Sequence, residues 1–199
     1  MSSALRIGLD FDDTLMHTRE ALVDLLNQIH NTNLHPDNCT DYYLSDHWNL
    51  TEQQFTDMFN EHQDAIHTQP PLAGMLETLE SWTPHATFHI ITGRPECWLP
   101  SALEWLGKHN IPIAQIISAR TAGGKGPASK LHKLDLFIDD HFTFAKEVAD
   151  FNIPVLLLDR PYNRSLTHPQ ITRVKDWHEI QTIVATRWGV TAPLKSPAV

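Results

Sequence analysis

The sequence predicts an α/β fold: a doubly wound parallel sheet carrying a small inserted helical cap. Three observations lead there. Five short apolar runs, Arg6–Leu9, Thr87–Ile91, Ala114–Ser118, Leu136–Ile138 and Val155–Leu158, are bounded by polar or Pro/Gly turns. Runs this brief and rich in Ile, Leu, Val and Phe suit strands buried on both faces of a parallel sheet. Helical patterns lie between the later runs, which implies right-handed crossovers. One stretch, roughly residues 16–80, breaks the alternation and holds no apolar strand.

From the N-terminus, the first strand runs straight into Asp10-Phe11-Asp12-Asp13-Thr14-Leu15. Asp10 and Asp12 share one side of the strand, because side chains alternate. Two carboxylates that close repel and shift each other's pKa. A divalent cation, or a division of labour between nucleophile and acid, relieves the conflict. The 16–80 stretch reads as helices over Arg19–His30, Thr51–His67 and Leu72–Glu80, punctuated by Pro36, Pro70 and Pro71. Thr51 with Gln54 has the form of a capping box. Later, Pro100–His109 carries Leu103, Trp105 and Leu106 on a buried stripe, and Thr143–Phe151 spaces Phe144, Ala145, Val148 and Ala149 helically. Asp176 is an N-cap for a last helix, Trp177–Trp188. The expected organisation is a core of residues 1–15 plus 81–190, a cap at 16–80, and a loose tail at 191–199.

Bulk properties narrow the function. The chain of 199 residues suits one domain with an insertion, and 41% apolar residues suffice for a core. The formal charge is −9 and no Lys/Arg run forms a phosphate-tracking stripe, which argues against nucleic-acid polymers but not against a small anion. Cys39 and Cys97 form no CxxC, so neither a disulfide framework nor zinc is expected. The 13 histidines are scattered, none in HExxH, and most read as surface or cap residues. No leader-like or bilayer-spanning apolar run is evident, so the expected location is the cytoplasm, without a membrane partner. Nothing in the sequence speaks to oligomeric state.

In open α/β sheets, ligands sit beyond the carboxyl ends of the strands. Those rims carry Asp10, Asp12, Asp13 and Thr14; then Thr92, Gly93 and Arg94; then Gly123, Gly124, Lys125 and Gly126; then Asp139 and Asp140. Together they offer clustered acids, a hydroxyl, glycine-freed backbone donors and a lysine.

In this order the chain resembles the haloacid dehalogenase superfamily of phosphotransferases. Asp-Phe-Asp-Asp-Thr-Leu resembles its DxDxT motif, Ile-Ile-Thr-Gly-Arg its second motif, a lysine before the fourth strand its third, and Leu-Phe-Ile-Asp-Asp its acidic fourth. Leu-Leu-Leu-Asp-Arg-Pro-Tyr-Asn and the helical insertion are similar to the 5′(3′)-deoxyribonucleotidase group. The resemblance implies an Mg²⁺-dependent phosphatase for a small phosphorylated metabolite, in that group a nucleotide. Asp10 would be the nucleophile that becomes an aspartyl phosphate. Asp12 would protonate the leaving oxygen and later activate water. The superfamily's dehalogenases lack this second acid, so phosphate is favoured over halide. Asp10, the Asp12 carbonyl and Asp139 would hold Mg²⁺, with Asp140 a ligand or a partner of one. Thr92 hydroxyl and Gly93 amide would take the non-bridging oxygens. The neutralising lysine is read as Lys125, opening a helix where backbone donors favour anions, ahead of the alternative Lys130, closer to Asp139.

Other residues have two readings. Thr14 either binds phosphate or caps its turn. Asp13 is read as turn chemistry, although many relatives carry Gly there. Arg94 either touches substrate or holds a loop before Pro95. His141 is read as structural, and Trp82, Trp98, Trp105, Trp177 and Trp188 as packing. Tyr42, Tyr43, Trp48, Phe55 and Phe59 are either the insertion's own core or a lid that stacks a base. Two competing functions remain: a phosphatase for sugar phosphates or other metabolites, and an inert module that binds phosphate-bearing ligands.

Overall fold

Six strands, β1 (Leu5–Leu9), β2 (Ala86–Thr92), β3 (Gln115–Ser118), β4 (Leu136–Asp139), β5 (Val155–Leu158) and β6 (Ile171–Val174), make one all-parallel sheet in the computed structural model, which describes residues 4–190. Their order is β3-β2-β1-β4-β5-β6. The chain winds outward from β1 on one side and then returns to β4 on the other, so the winding reverses between β1 and β4. The helices are α1 (Thr18–His30), α2 (Glu52–Glu61), α3 (Gln63–Ile66), α4 (Met75–Trp82), α5 (Leu99–Lys108), α6 (Lys125–Leu131), α7 (Phe142–Ala149) and α8 (Trp177–Trp188). The expected tail, 191–199, lies outside the described residues.

Alternation along the strands splits the core between the two faces. Ile7, Leu9, Phe88, Ile90, Leu136, Ile138, Leu156 and Leu158 face α4, α5 and α8 through Leu79, Trp82, Trp105, Ile180 and Val184. Ile91, Phe137, Val155 and Leu157 face α6 and α7 through Ala128, Ala145, Val148 and Ala149. Gly8 is required on this thinner side: a Cβ there would lie 2.3 Å from the Phe137 ring.

Four sequence expectations need correction. A sixth strand, β6, was not expected, because an edge strand that is half-exposed along Ile171-Thr172-Arg173 carries no apolar run. The helix expected over Thr51–His67 is two, broken at His62, whose φ of −114° is not helical. The capping box that starts it is formed: Thr51 Oγ1 accepts from the Gln54 amide at 3.2 Å and Gln54 Oε1 from the Thr51 amide at 2.9 Å. Leu103 is 45% exposed, so the buried stripe of α5 runs through Ala102, Trp105 and Leu106 instead. Trp98 is only partly buried and turns toward the cavity described below.

The segment after β1 leaves and re-enters the α/β body at one crossing, where Met16 bridges to both Asp12 and Pro71. From there α4 packs against α8 and leads into β2. Among the described residues, no helix is long and apolar enough to cross a membrane.

Candidate active site

The winding reversal sets the site. Leu9 of β1 pairs with Ile138 of β4, so Asp10 and Asp139 emerge side by side, and the Asp10 amide donates to the Ile138 carbonyl at 2.9 Å. This is the crevice in which open α/β sheets bind ligands. Phe11, between the two acids, turns away and packs its edge on Trp105 at 5.4 Å, fully buried.

Lys125 opens α6 and is fully buried, with Nζ 2.9 Å from both Asp10 Oδ1 and Asp139 Oδ2. Only the Asp139 contact has hydrogen-bond direction; Asp10 Oδ1 receives no directed donor. Burial disfavours the ammonium, but the two acids outweigh it and raise its pKa. Gly124 lets the backbone reach that position: its φ is 115°, and a Cβ would strike the Glu147 carboxylate. Lys130 is exposed and sits over the Phe151 ring at 5.4 Å, away from the acids. The structure therefore brings Lys125, and not Lys130, into the cluster.

Asp139 is held by its neighbours' backbone. Its Oδ1 accepts the amides of Asp140 and His141, both at 2.9 Å. Asp140 accepts the Thr14 hydroxyl on Oδ1 at 3.1 Å and the Tyr162 hydroxyl on Oδ2 at 2.5 Å. One oxygen from each of Asp10, Asp139 and Asp140 falls within 4.8 Å of the others. Burial raises Asp10 to about 7, with Asp140 and Asp12 adding repulsion against the pull of Lys125. Burial and Asp10 raise Asp139 to about 6, and Asp140 is raised by burial and Asp139. Three buried carboxylates against one ammonium leave an excess of negative charge. An all-oxygen donor set of this kind fits a hard divalent cation such as Mg²⁺.

Asp12 points elsewhere. Its Oδ2 accepts Arg94 Nε at 2.9 Å, and its Oδ1 accepts Arg94 Nη2 at 2.5 Å and the Thr18 hydroxyl at 2.7 Å. Burial pushes its pKa up, but the guanidinium and these hydrogen bonds bring it below the usual carboxylate range. The Asp10–Asp12 conflict expected from the sequence is thus relieved in part by Arg94. Arg94 is buried, with Nη1 2.6 Å from His67 Nε2 and its guanidinium 4.5 Å over Phe11. Neither reading of Arg94 from the sequence anticipated an ion pair with Asp12.

Thr92 is fully buried at the end of β2, its hydroxyl accepting the Arg94 amide at 3.2 Å, while Gly93 faces the cavity. Thr14 is also fully buried and does not line the cavity. Its hydroxyl goes to Asp140 and its carbonyl accepts the Trp177 indole at 3.0 Å, so its geometry serves the acid cluster rather than a phosphate oxygen. Asp13 has a left-handed φ of 53° and accepts the Arg19 amide at the start of α1, which matches the turn reading. Burial and Asp140 push its carboxyl to about 8. His141 stacks on Tyr42 at 3.7 Å, and burial and Lys125 push it down to about 4.

A cavity of about 820 Å³ opens over Asp10, Asp12, Gly93 and Arg94. Its walls include Tyr42, Tyr43, Phe55, Phe59 and Trp98, with Phe59 stacked on Trp98 at 3.9 Å. Trp48 alone of the five insertion aromatics is absent from the wall; it is buried, with its indole donating to Thr32 at 2.9 Å. Three participants were not singled out from the sequence. Arg120, exposed on the wall, donates to the Gly93 carbonyl at 2.8 Å. Tyr162 and Asn163, in a string noted only for its resemblance, reach Asp140. The available signal was position: polar residues directly after an apolar strand lie on the same rim.

Comparison with known proteins places the chain in a family. Residues 4–188 match the family model described as 5′ nucleotidase, deoxy (Pyrimidine), cytosolic type C protein. The YqfW protein of Bacillus subtilis is 31% identical over 179 residues, covering 88% of this chain and 91% of that one. A nucleotidase of Clostridium acetobutylicum is 24% identical over 181 residues, covering 90% and 93%. Among solved structures, a HAD family hydrolase from Deinococcus radiodurans with bound phosphate and sodium has a TM-score of 0.69 at 14% identity, covering 96% of this chain and 100% of that one. YfnB of Bacillus subtilis, bound to magnesium, has a TM-score of 0.62 at 13% identity, covering 92% and 99%. At these identities the two structures speak to the fold, and the family match speaks to the chemistry: the chain belongs to the cytosolic type C 5′-nucleotidase family of haloacid dehalogenase-like phosphatases.

Proposed function

We propose that the protein hydrolyses nucleoside 5′- or 3′-monophosphates with Mg²⁺, through an aspartyl phosphate on Asp10. The observation that carries this is the buried Lys125, 2.9 Å from both Asp10 and Asp139, beneath a cavity walled by aromatic rings. Asp10, Asp139, Asp140 and the Asp12 carbonyl would hold Mg²⁺, which supplies charge neutralisation for the phosphoryl group. Lys125 adds a fixed positive charge from the other side. The Gly93 amide and Thr92 hydroxyl would receive non-bridging oxygens. An Asp10 oxygen attacks phosphorus as the bond to the leaving oxygen breaks, and Asp12, which Arg94 holds ionised before substrate binds, relays to that oxygen a proton it takes from the incoming phosphate monoanion. Water then attacks the phosphorus, Asp12 takes its proton, and Asp10 is released.

The part proposed to act as a cap lies within residues 16–80, between β1 and the Pro71 crossing; α4 packs with the core helices. Its rings Tyr42, Tyr43, Phe55 and Phe59 would stack a base and exclude water.

The test is phosphate release across nucleoside monophosphates and sugar phosphates with Mg²⁺, plus acid quench to trap the phosphoenzyme. Turnover that EDTA removes, a hydroxylamine-labile adduct and an inactive Asp10→Asn are expected. Wild-type turnover by Asp10→Asn overturns the nucleophile. Sugar phosphates ahead of nucleotides by orders of magnitude in kcat/KM overturn the substrate class.

A further inference from the structure

The loop that follows β5 touches the acid cluster three times. Arg160 Nη2 donates to the Asp13 carbonyl at 2.6 Å. The Tyr162 hydroxyl donates to Asp140 Oδ2 at 2.5 Å. Asn163 Nδ2 donates to the Asp140 carbonyl at 2.6 Å and to the Leu158 carbonyl at 2.8 Å. The loop is itself tied down, because Arg173 of β6 donates to Asp159 at 3.0 Å and to the Asn163 carbonyl at 2.7 Å. Arg19 lies 4.4 Å over the Tyr162 ring, which fixes the phenol's direction.

We propose that Tyr162 is a positioning residue for the metal centre: with Thr14 it clamps the Asp140 carboxylate between two hydroxyl donors so that its remaining lone pairs face Asp10 and Asp139. The inference rests on the metal reading given above. A buried carboxylate beside two others would swing away from them if it were free to turn. Donors on both oxygens stop that rotation. Both donors are neutral, so they orient the acid without cancelling the negative charge that attracts a cation, as a lysine in that place would. Hydrogen-bonded partners of metal-bound carboxylates commonly set affinity in this way. The edge strand β6 gains a purpose here, since Arg173 carries its order to the loop.

Mn²⁺ titration of the substrate-free protein, followed by the electron paramagnetic resonance of free Mn²⁺, tests the inference. Tyr162→Phe keeps the ring and removes the donor. It should weaken Mn²⁺ by about 10-fold or more, and raise the Mg²⁺ needed for half-maximal turnover by the same factor, with substrate KM at saturating Mg²⁺ unchanged. Thr14→Val, which strips the donor from the other oxygen, should act alike, and Thr14→Ser should retain affinity. If Tyr162→Phe binds Mn²⁺ as the wild type does and loses only thermal stability, the residue is structural and the inference falls. If the wild type binds no Mn²⁺, or Asp139→Asn binds it equally well, the metal reading itself falls first.

Discussion

The ion pair between Asp12 and Arg94 allows a quantitative test of how the second acid is held. Two contacts, at 2.9 Å and 2.5 Å, join side chains that are 31% and 2% exposed. At an effective dielectric constant of about 20, charges about 4 Å apart attract by about 4 kcal/mol. Desolvation of the buried Arg94 and solvent screening at Asp12 reduce the net coupling to about 2 kcal/mol. Arg94→Met also strands the His67 ring nitrogen, which adds about 1 kcal/mol. The single variant should therefore lose about 3 kcal/mol, or about 6–12 °C in Tm for a chain of this size. Urea unfolding of wild type, Asp12→Asn, Arg94→Met and the double variant at neutral pH gives the coupling from the cycle. Turnover by Arg94→Met should fall about 10–100-fold, because an unheld Asp12 no longer meets the leaving oxygen in line. A coupling under about 0.5 kcal/mol, with turnover unchanged, would show that the pair neither stabilises the protein nor positions the acid.

Other outcomes follow from the same geometry. Lys125→Met should abolish turnover and alter the pH dependence of folding, whereas Lys130→Met should stay within about twofold of wild type, since its exposed charge carries little energy; steady-state rates for the two variants check this. In EDTA, Asp139 at about 6, Asp10 at about 7 and Asp13 at about 8 hold protons more tightly than the unfolded chain does. Their contribution is fully present below about pH 4 and is lost as pH rises through the folded values, by about 1.4 kcal/mol per pH unit for each proton released. Thermal melts should show the metal-free protein weakening from about pH 5 to pH 8 and Mg²⁺ stabilising it most at the alkaline end; a flat profile in EDTA would contradict the shifts. Phe55→Ala, on the cavity wall, should raise nucleotide KM by about 5–150-fold with kcat retained, from about 1–3 kcal/mol of lost stacking. A small aryl phosphate run in parallel should show a much smaller change.

The local grammar of the chain was enough for five of the six strands and for the sheet edge that carries the candidate site. Short runs such as Val155–Leu158, bounded by turn residues, favour buried strands over helices by their length, and an acid pair directly after the first of them marks the ligand edge. The Thr51–Gln54 box and the Asp176 cap depend on neighbours three residues away, so they too were legible. What escaped were partnerships across long separations. Asp12 finds Arg94, and Asp140 finds Tyr162 and Thr14. Spacing along a chain says which residue types share an edge. Which atom of which side chain fills each place is set by strand register, by a glycine that admits a left-handed turn, and by the direction of a helix that starts one loop away. Those are properties of packed elements, and no short window of sequence contains them.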